Sequence, residues 1–311
     1  MAAPVFLNFK FGQKLKHRLE RRLSAEIFFS HYFNVLYKLT LSSVIRPDSL
    51  DKAILIGIVD MTAIERMSPR AAEFRAKVEN NDRFLSTCDG GDPGQPGAPS
   101  IWLMGLEPGW TKHDEEADDN SEKSLLETYS VEHQLTMNFN RNAFKLLAAL
   151  NGEACENYAA FARRERPFER GKKGYLKLNL FPVACNKLGS WGKEHVAETG
   201  FENKRDYQDW MRKTRLPILT DWIAKSRPKL LICTGLTHIS DFLAVTKNSR
   251  IPSPKYFSIN GHTKRLHVGI SGLAPIAVIP HLSGGPNGLN SNQAIAHAAA
   301  HINDVLAVAL S

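Results

Sequence analysis

Nowhere in the 311 residues does an apolar run approach the roughly 20 residues that a membrane-spanning helix needs. A membrane partner is therefore not expected. Residues 1–10, MAAPVFLNFK, place no basic segment ahead of a long apolar stretch, so no secretory signal is expected. Cysteine is scarce, and Cys88, Cys155, Cys185 and Cys233 form no CxxC pair. That argues against a disulfide scaffold and against a zinc or iron–sulfur site, and it points to a reducing cytoplasm. Cys233, inside an apolar run, is expected to be a buried thiol. No phosphate loop of the type GxxxxGKS/T is present, and no GxGxxG follows the first strand. A nucleotide-binding α/β protein that cradles phosphate in such a loop is thus disfavoured. No internal repeat is visible.

What is present is a core-forming composition with a basic surplus. Hydrophobic residues make up 43% of the chain and the formal net charge is +8. The first is enough for one or two domains. The second favours a polyanionic partner, nucleic acid first. Residues 10–45 carry Leu15, Leu19, Leu23 and Ile27 every four residues, which predicts a helix. Its other face holds Lys10, Lys14, Lys16, Arg18, Arg21 and Arg22, either a solvated face or a phosphate anchor. Ser68-Pro69 predicts an N-cap with proline at N1. Residues 88–100, CDGGDPGQPGAPS, suggest a linker. The expected division is a mainly helical accessory region over 1–96 and an α/β domain over 97–311.

The second part alternates. Strands are expected at Ile101–Met104, Tyr175–Val183, Leu230–Thr234, Lys264–Val268 and Pro275–Ile279. Helices are expected over 122–150, over 204–226 with a kink or break at Pro217, from about Thr237, and from about Asn292 to Leu310. The acidic stretch 113–122 and the basic cluster 162–173 are expected in mobile or loop segments. This pattern predicts a three-layer α/β/α fold around a mainly parallel sheet.

Three polar strings close apolar runs: Gly105-Leu106-Glu107-Pro108-Gly109, Asn179, and His281-Leu282-Ser283. In an open α/β sheet, ligands bind beyond the carboxyl ends of the strands. A carboxylate, an amide and an imidazole can therefore converge although they are far apart in sequence. Glu107 can orient water or stabilise a cation, or merely cap helix N–H groups. Asn179 can present a donor and an acceptor to a base edge, or satisfy local backbone. His281 can bond a developing anion, or be a surface histidine.

Together these strings resemble the uracil-DNA glycosylase superfamily. GLEPG corresponds to its first box, the asparagine of KLNLFPVACN to its second, and HLSGGPNGLN to its last, while RPKLLICTG resembles the strand before the final box. The resemblance covers residues 97–311. It implies a monofunctional N-glycosyl hydrolase acting on a flipped-out pyrimidine of DNA, monomeric, with no metal or organic cofactor. By the same resemblance Glu107 and His281 are catalytic, and Asn179 reads the base beside Gly105, Gly109 and Trp110. Ser283 pinches the DNA backbone and Leu289 is the wedge that fills the gap left by the base. Arg163, Arg164 and Arg166 of the basic cluster are expected to contact phosphates. The chain departs from the family in having Glu107 for the usual Asp or Asn, and Leu282 for the usual Pro. Gly109 stands where one branch has a tyrosine that crowds the pyrimidine C5 edge. The excised base is then either uracil or a simple lesion, or a bulky cytosine of phage DNA, such as glucosylated hydroxymethylcytosine, in anti-phage defence. A catalytically silent DNA-binding relative is the alternative.

Overall fold

The computed structural model describes residues 67–109, 129–185, 189–283 and 285–310. The predicted helix over 10–45, with its basic face, and the acidic stretch 113–122 lie outside the described residues, as does Trp110. The chain divides into a unit of residues 1–66 and a compact unit of residues 67–311.

A seven-stranded sheet forms the centre of the second unit. Its strands in chain order are β1 Gly90–Gly91, β4 Ile101–Gly105, β5 Tyr175–Asn179, β6 Leu230–Thr234, β7 Pro254–Ile259, β8 His262–Gly269 and β9 Ile276–Ile279, with β2 Gly94–Gln95 and β3 Ala98–Pro99 forming a separate small hairpin. The spatial order is β1-β5-β4-β6-β9-β8-β7. Strands β5, β4, β6 and β9 are mutually parallel, and β1, β8 and β7 add antiparallel edges. The expected α/β/α architecture is observed.

The reason lies in strands that are apolar on both faces. In β4 every residue is buried. Ile101 and Leu103 pack into one layer, and Trp102 and Met104 into the other. The first layer contains α2 Val131–Thr136, α3 Asn138–Leu150, α4 Tyr158–Glu165 and α8 Asn292–Leu310. The second contains α1 Pro69–Glu79, α6 Lys204–Ser226 and α7 Ile239–Val245, with α5 Lys193–Thr199 against α1. The chain leaving β4 enters the first layer, whereas the chains leaving its neighbours β5 and β6 enter the second. In sheets of this kind ligands bind outside the carboxyl ends of strands whose connections leave to opposite faces.

Several expectations needed correction. Residues 88–100 are not a linker, because Gly90 and Gly91 pair with Lys177 and Leu176 of β5. Residues 67–96 accordingly belong to the sheet-bearing unit, and the expected boundary at 96/97 falls inside it. Strand β5 stops at Asn179. Helix α6 runs unbroken through Pro217, held by buried Met211, Leu216, Leu219 and Ile223 on its inner face. The burial of that face outweighs the single backbone bond that proline removes. Arg163 and Arg164 lie in the last turn of α4 rather than on a loop. Strand β7 was not expected from the sequence. The predicted N-cap is present, with the Ser68 hydroxyl accepting from the Ala71 N–H.

Candidate active site

The site is built from the strand ends. Gly105 of β4 lies in register with Asn179 of β5. A Cβ on Gly105 would stand 2.3 Å from Asn179 Oδ1, so only glycine allows the amide to lie against the backbone there. Beyond the sheet the two chains stay zipped. The Leu180 and Phe181 N–H groups donate to the Gly105 and Leu106 carbonyls at 2.9 Å, and Cys185 N–H donates to Pro108 O at 3.3 Å. Gly109 ends this pairing in a bridge to Cys185. Glu107 is thus carried on a braced turn.

The Glu107 side chain is 6% exposed and points toward α6, where Lys204 Nζ donates to its Oε2 at 2.8 Å. Its Oε1 is buried with no hydrogen-bond partner. Cys185 lies beside this pair. Burial first, and then the charge of Glu107, pushes its thiol up to about 11. One carboxylate oxygen is therefore anchored by a cation, and the other is buried without a hydrogen-bond partner.

Asn179 is held from three sides. Its Nδ2 donates to Asp89 Oδ1 at 2.9 Å. Its carbonyl accepts from the buried guanidinium of Arg215 at 3.1 Å, and Arg215 also donates to Thr87 Oγ1 at 2.6 Å. Asp89 Oδ2 pairs at 3.0 Å with Lys177 Nζ, which donates to Tyr129 Oη at 2.5 Å. Burial works against the Lys177 charge, but Tyr129 and Asp89 prevail and hold its pKa above the usual lysine range. Burial raises the Tyr129 phenol in turn. A carboxylate can only accept, so Asp89 dictates which end of the Asn179 amide is nitrogen.

His281 sits just past β9 on the same sheet edge. Its Nδ1 accepts from the Ser283 N–H at 3.2 Å and lies 2.6 Å from Ser283 Oγ. An accepting Nδ1 leaves the proton of the neutral ring on Nε2. The ring reaches solvent, yet the protein packed around it removes enough water to push its pKa below the usual histidine value. Phe139 lies 5.2 Å from the His281 ring, centroid to centroid, and 5.3 Å from Lys177 Nζ. It therefore sits between the histidine and the strand that carries Asn179.

The structure brings Gly105, Glu107, Gly109, Asn179, His281 and Ser283 to one edge of the sheet. Glu107 and the Asn179 carbonyl are anchored from the α6 layer by Lys204 and Arg215, and the His281 ring is contacted by Phe139 of α3. No hydrogen bond joins Glu107, Asn179 and His281 to one another. Leu289 does not fit the role expected of it. It is fully buried in the first-layer core, with its N–H bonded to His281 O at 2.9 Å, so it supports the histidine loop from below and presents nothing to a partner. The arginine cluster also differs from expectation. Arg163 pairs with Glu132, Arg164 with Glu153 and Glu165, and Arg166 with Glu169. Its charge is locally cancelled.

Asp89, Lys177, Tyr129, Phe139 and Lys204 were missed by sequence reasoning. Asp89 sits in a Gly/Pro-rich segment, and Lys204 is one cation among many at a helix start, so only their spatial neighbours mark them. Among the described residues no cluster of three or more His, Cys, Asp or Glu side chains could hold a metal ion. All four cysteines are free and buried. No helix among the described residues is long and apolar enough to cross a membrane. The chain matches no protein-family model and no curated protein.

Proposed function

We propose that this chain is a DNA glycosylase that hydrolyses the N-glycosidic bond of a flipped-out pyrimidine and leaves an abasic site. The observation that carries the reading is a carboxylate with one buried, unpartnered oxygen on the sheet edge that also presents an oriented amide and an Nε2–H imidazole. As the glycosidic bond breaks, the sugar becomes cation-like and the base anionic. Glu107 faces the cation and orients water through Oε1. Asn179 reads the base edge, Phe139 offers the ring on which the base stacks, and His281 donates to the anionic base from Nε2. One such donor is typically worth about 3 kcal/mol. No metal or organic cofactor takes part in these steps. The substrate is DNA, the enzyme acts as a monomer, and its compartment is the cytoplasm. The excised base is either uracil or a simple lesion, or a hypermodified cytosine of phage DNA.

The Lys204 pair favours a second reading, DNA binding without chemistry, because its ammonium offsets the charge that Glu107 would apply to the sugar. Incubation with DNAs carrying uracil, mismatched bases and hypermodified cytosines, scored for abasic sites, separates the two. Catalysis requires excision of at least one base and its loss in Glu107→Gln with DNA binding retained. Binding without excision of any base establishes the silent relative.

A further inference from the structure

Helix α3 carries Asn138, Arg141, Asn142 and Lys145 at positions i, i+3, i+4 and i+7, which makes one stripe along one face. Its other face, with Ala143, Phe144, Leu147 and Ala148, is in the core. The stripe faces Asn290 across a concavity of about 280 Å³. A second concavity of about 330 Å³ meets it at Asn290 and is lined by His262, Lys264, Gly285 and Pro286 among others. The loop 285–288 borders the second of these through Gly285 and Pro286. Lys264 Nζ donates to Pro286 O, Asn290 Nδ2 donates to Gly285 O at 3.0 Å, and Gly288 N–H donates to Gly285 O at 3.2 Å. Asn142 Nδ2 donates to Leu282 O at 2.7 Å and ties the stripe to the histidine loop.

The charges here differ in kind from those of the arginine cluster. Arg141 donates to the Leu135 and Thr136 carbonyls and to Asn138 Oδ1, all neutral acceptors that leave its charge intact. Lys145 lies 5.3 Å over the Tyr158 ring. Neither has a carboxylate within ion-pair distance among the described residues, whereas Arg163, Arg164 and Arg166 each have one. Both are half-buried along a concave wall, where low-dielectric surroundings strengthen attraction for an anion. Amides beside cations suit an oxyanion whose oxygens each take a donor.

We propose that this groove, and not the Arg163–Arg166 cluster, is the phosphodiester-binding site of the protein, with Arg141 and Lys145 holding DNA backbone beside His281. The inference rests on the glycosylase reading for its ligand. Fluorescence anisotropy with a labelled duplex, across a salt series, tests it on the full chain. Arg141→Gln/Lys145→Gln is expected to bind on the order of tenfold more weakly at moderate salt, and its log–log salt slope should fall by about 0.9 for each lost contact. Arg141→Lys/Lys145→Arg keeps both charges and should bind within about twofold of the wild type. Arg163→Gln/Arg164→Gln/Arg166→Gln should leave affinity and slope unchanged. Circular dichroism checks folding. If the double variant does not fold, Lys145→Gln alone, which removes a ring contact and a charge attraction to Glu156 but no ion pair, must show about half the slope change. DNA binding by the wild type that is insensitive to the groove substitutions overturns this inference alone, whereas no DNA binding by the wild type overturns the glycosylase reading with it.

Discussion

The Asn179 side-chain amide donates to the Asp89 carboxylate, and that carboxylate is itself neutralised by half-buried Lys177. The pair spans 90 residues and joins a segment rich in glycine to the end of a core strand. It gives the amide a direction, with nitrogen toward β1 and oxygen toward Gly105. Asp89→Asn removes that direction without changing size. The ratio of excision rates between a uracil-type and a cytosine-type edge should shrink by about tenfold, the value of one lost hydrogen bond. An unchanged ratio with unchanged turnover would show that Asp89 serves folding only.

Gly105 is the other wall of that amide. In Gly105→Ala the new methyl must displace Asn179 Oδ1, since it would lie at 2.3 Å. Stability should drop by about 1–3 kcal/mol, read from urea unfolding, and excision should fall further than the folded fraction accounts for. Wild-type turnover in a folded Gly105→Ala would exclude Asn179 from base recognition.

Glu107 and Lys204 form a pair that is almost wholly out of water. Removing Lys204 leaves the Glu107 carboxylate buried without its cation, so Lys204→Met should cost about 3 kcal/mol. In the double variant Lys204→Met/Glu107→Gln the loss should be smaller than the sum of the single losses by more than about 1 kcal/mol. Additive losses would mean that the two groups do not interact in solution.

The Cys185 thiol reports on Glu107 without any substrate. Burial and the neighbouring carboxylate hold it at about 11. Glu107→Gln removes the negative charge but not the burial, so the thiol should titrate lower while staying above the ordinary cysteine value of about 8.5. Alkylation of Cys185 by iodoacetamide at pH 9, followed by peptide mass spectrometry, should be faster in the variant. Equal rates would place the Glu107 charge away from the thiol.

Asp241 should govern acid stability in the α6–α7 layer. Burial alone would raise its pKa, but bonds from His238 and Arg212 overcome this and hold it at about 2. Its unfolded value is about 3.9. A depressed folded value means the contribution is present above about pH 4 and is lost as pH falls through about 2. Asp241→Asn should therefore cost about 1–2 kcal/mol at pH 7, and the difference from wild type should close between pH 4 and 2. A pH-independent difference would locate the effect in packing instead.

Much of the fold can be read along the chain because it depends on local patterns. Ile101–Met104, Leu230–Thr234 and Ile276–Ile279 are apolar without alternation, as strands covered on both faces must be. The Ser68 cap and the long apolar helix over Asn292–Leu310 are local too. Glu107, Asn179 and His281 stand out because parallel strands align their carboxyl ends, so polar residues after such runs share one edge. Tertiary structure alone decided which of their neighbours matter. Asp89 reaches Asn179 only because Gly90–Gly91 adds an edge to β5, and Lys204 reaches Glu107 only because α6 crosses that end of the sheet. The same holds for charge. Arginines 163, 164 and 166 look like a basic patch in one dimension, but carboxylates from α2, from the turn after α3 and from α4 and its own C-terminal turn cancel them, while Arg141 and Lys145, in a groove, form no ion pair among the described residues. Leu289 lies in a polar loop, and its neighbours gave no sign that the chain folds it into the core. Burial and pairing depend on what arrives from distant segments, and periodicity along one segment carries no record of that.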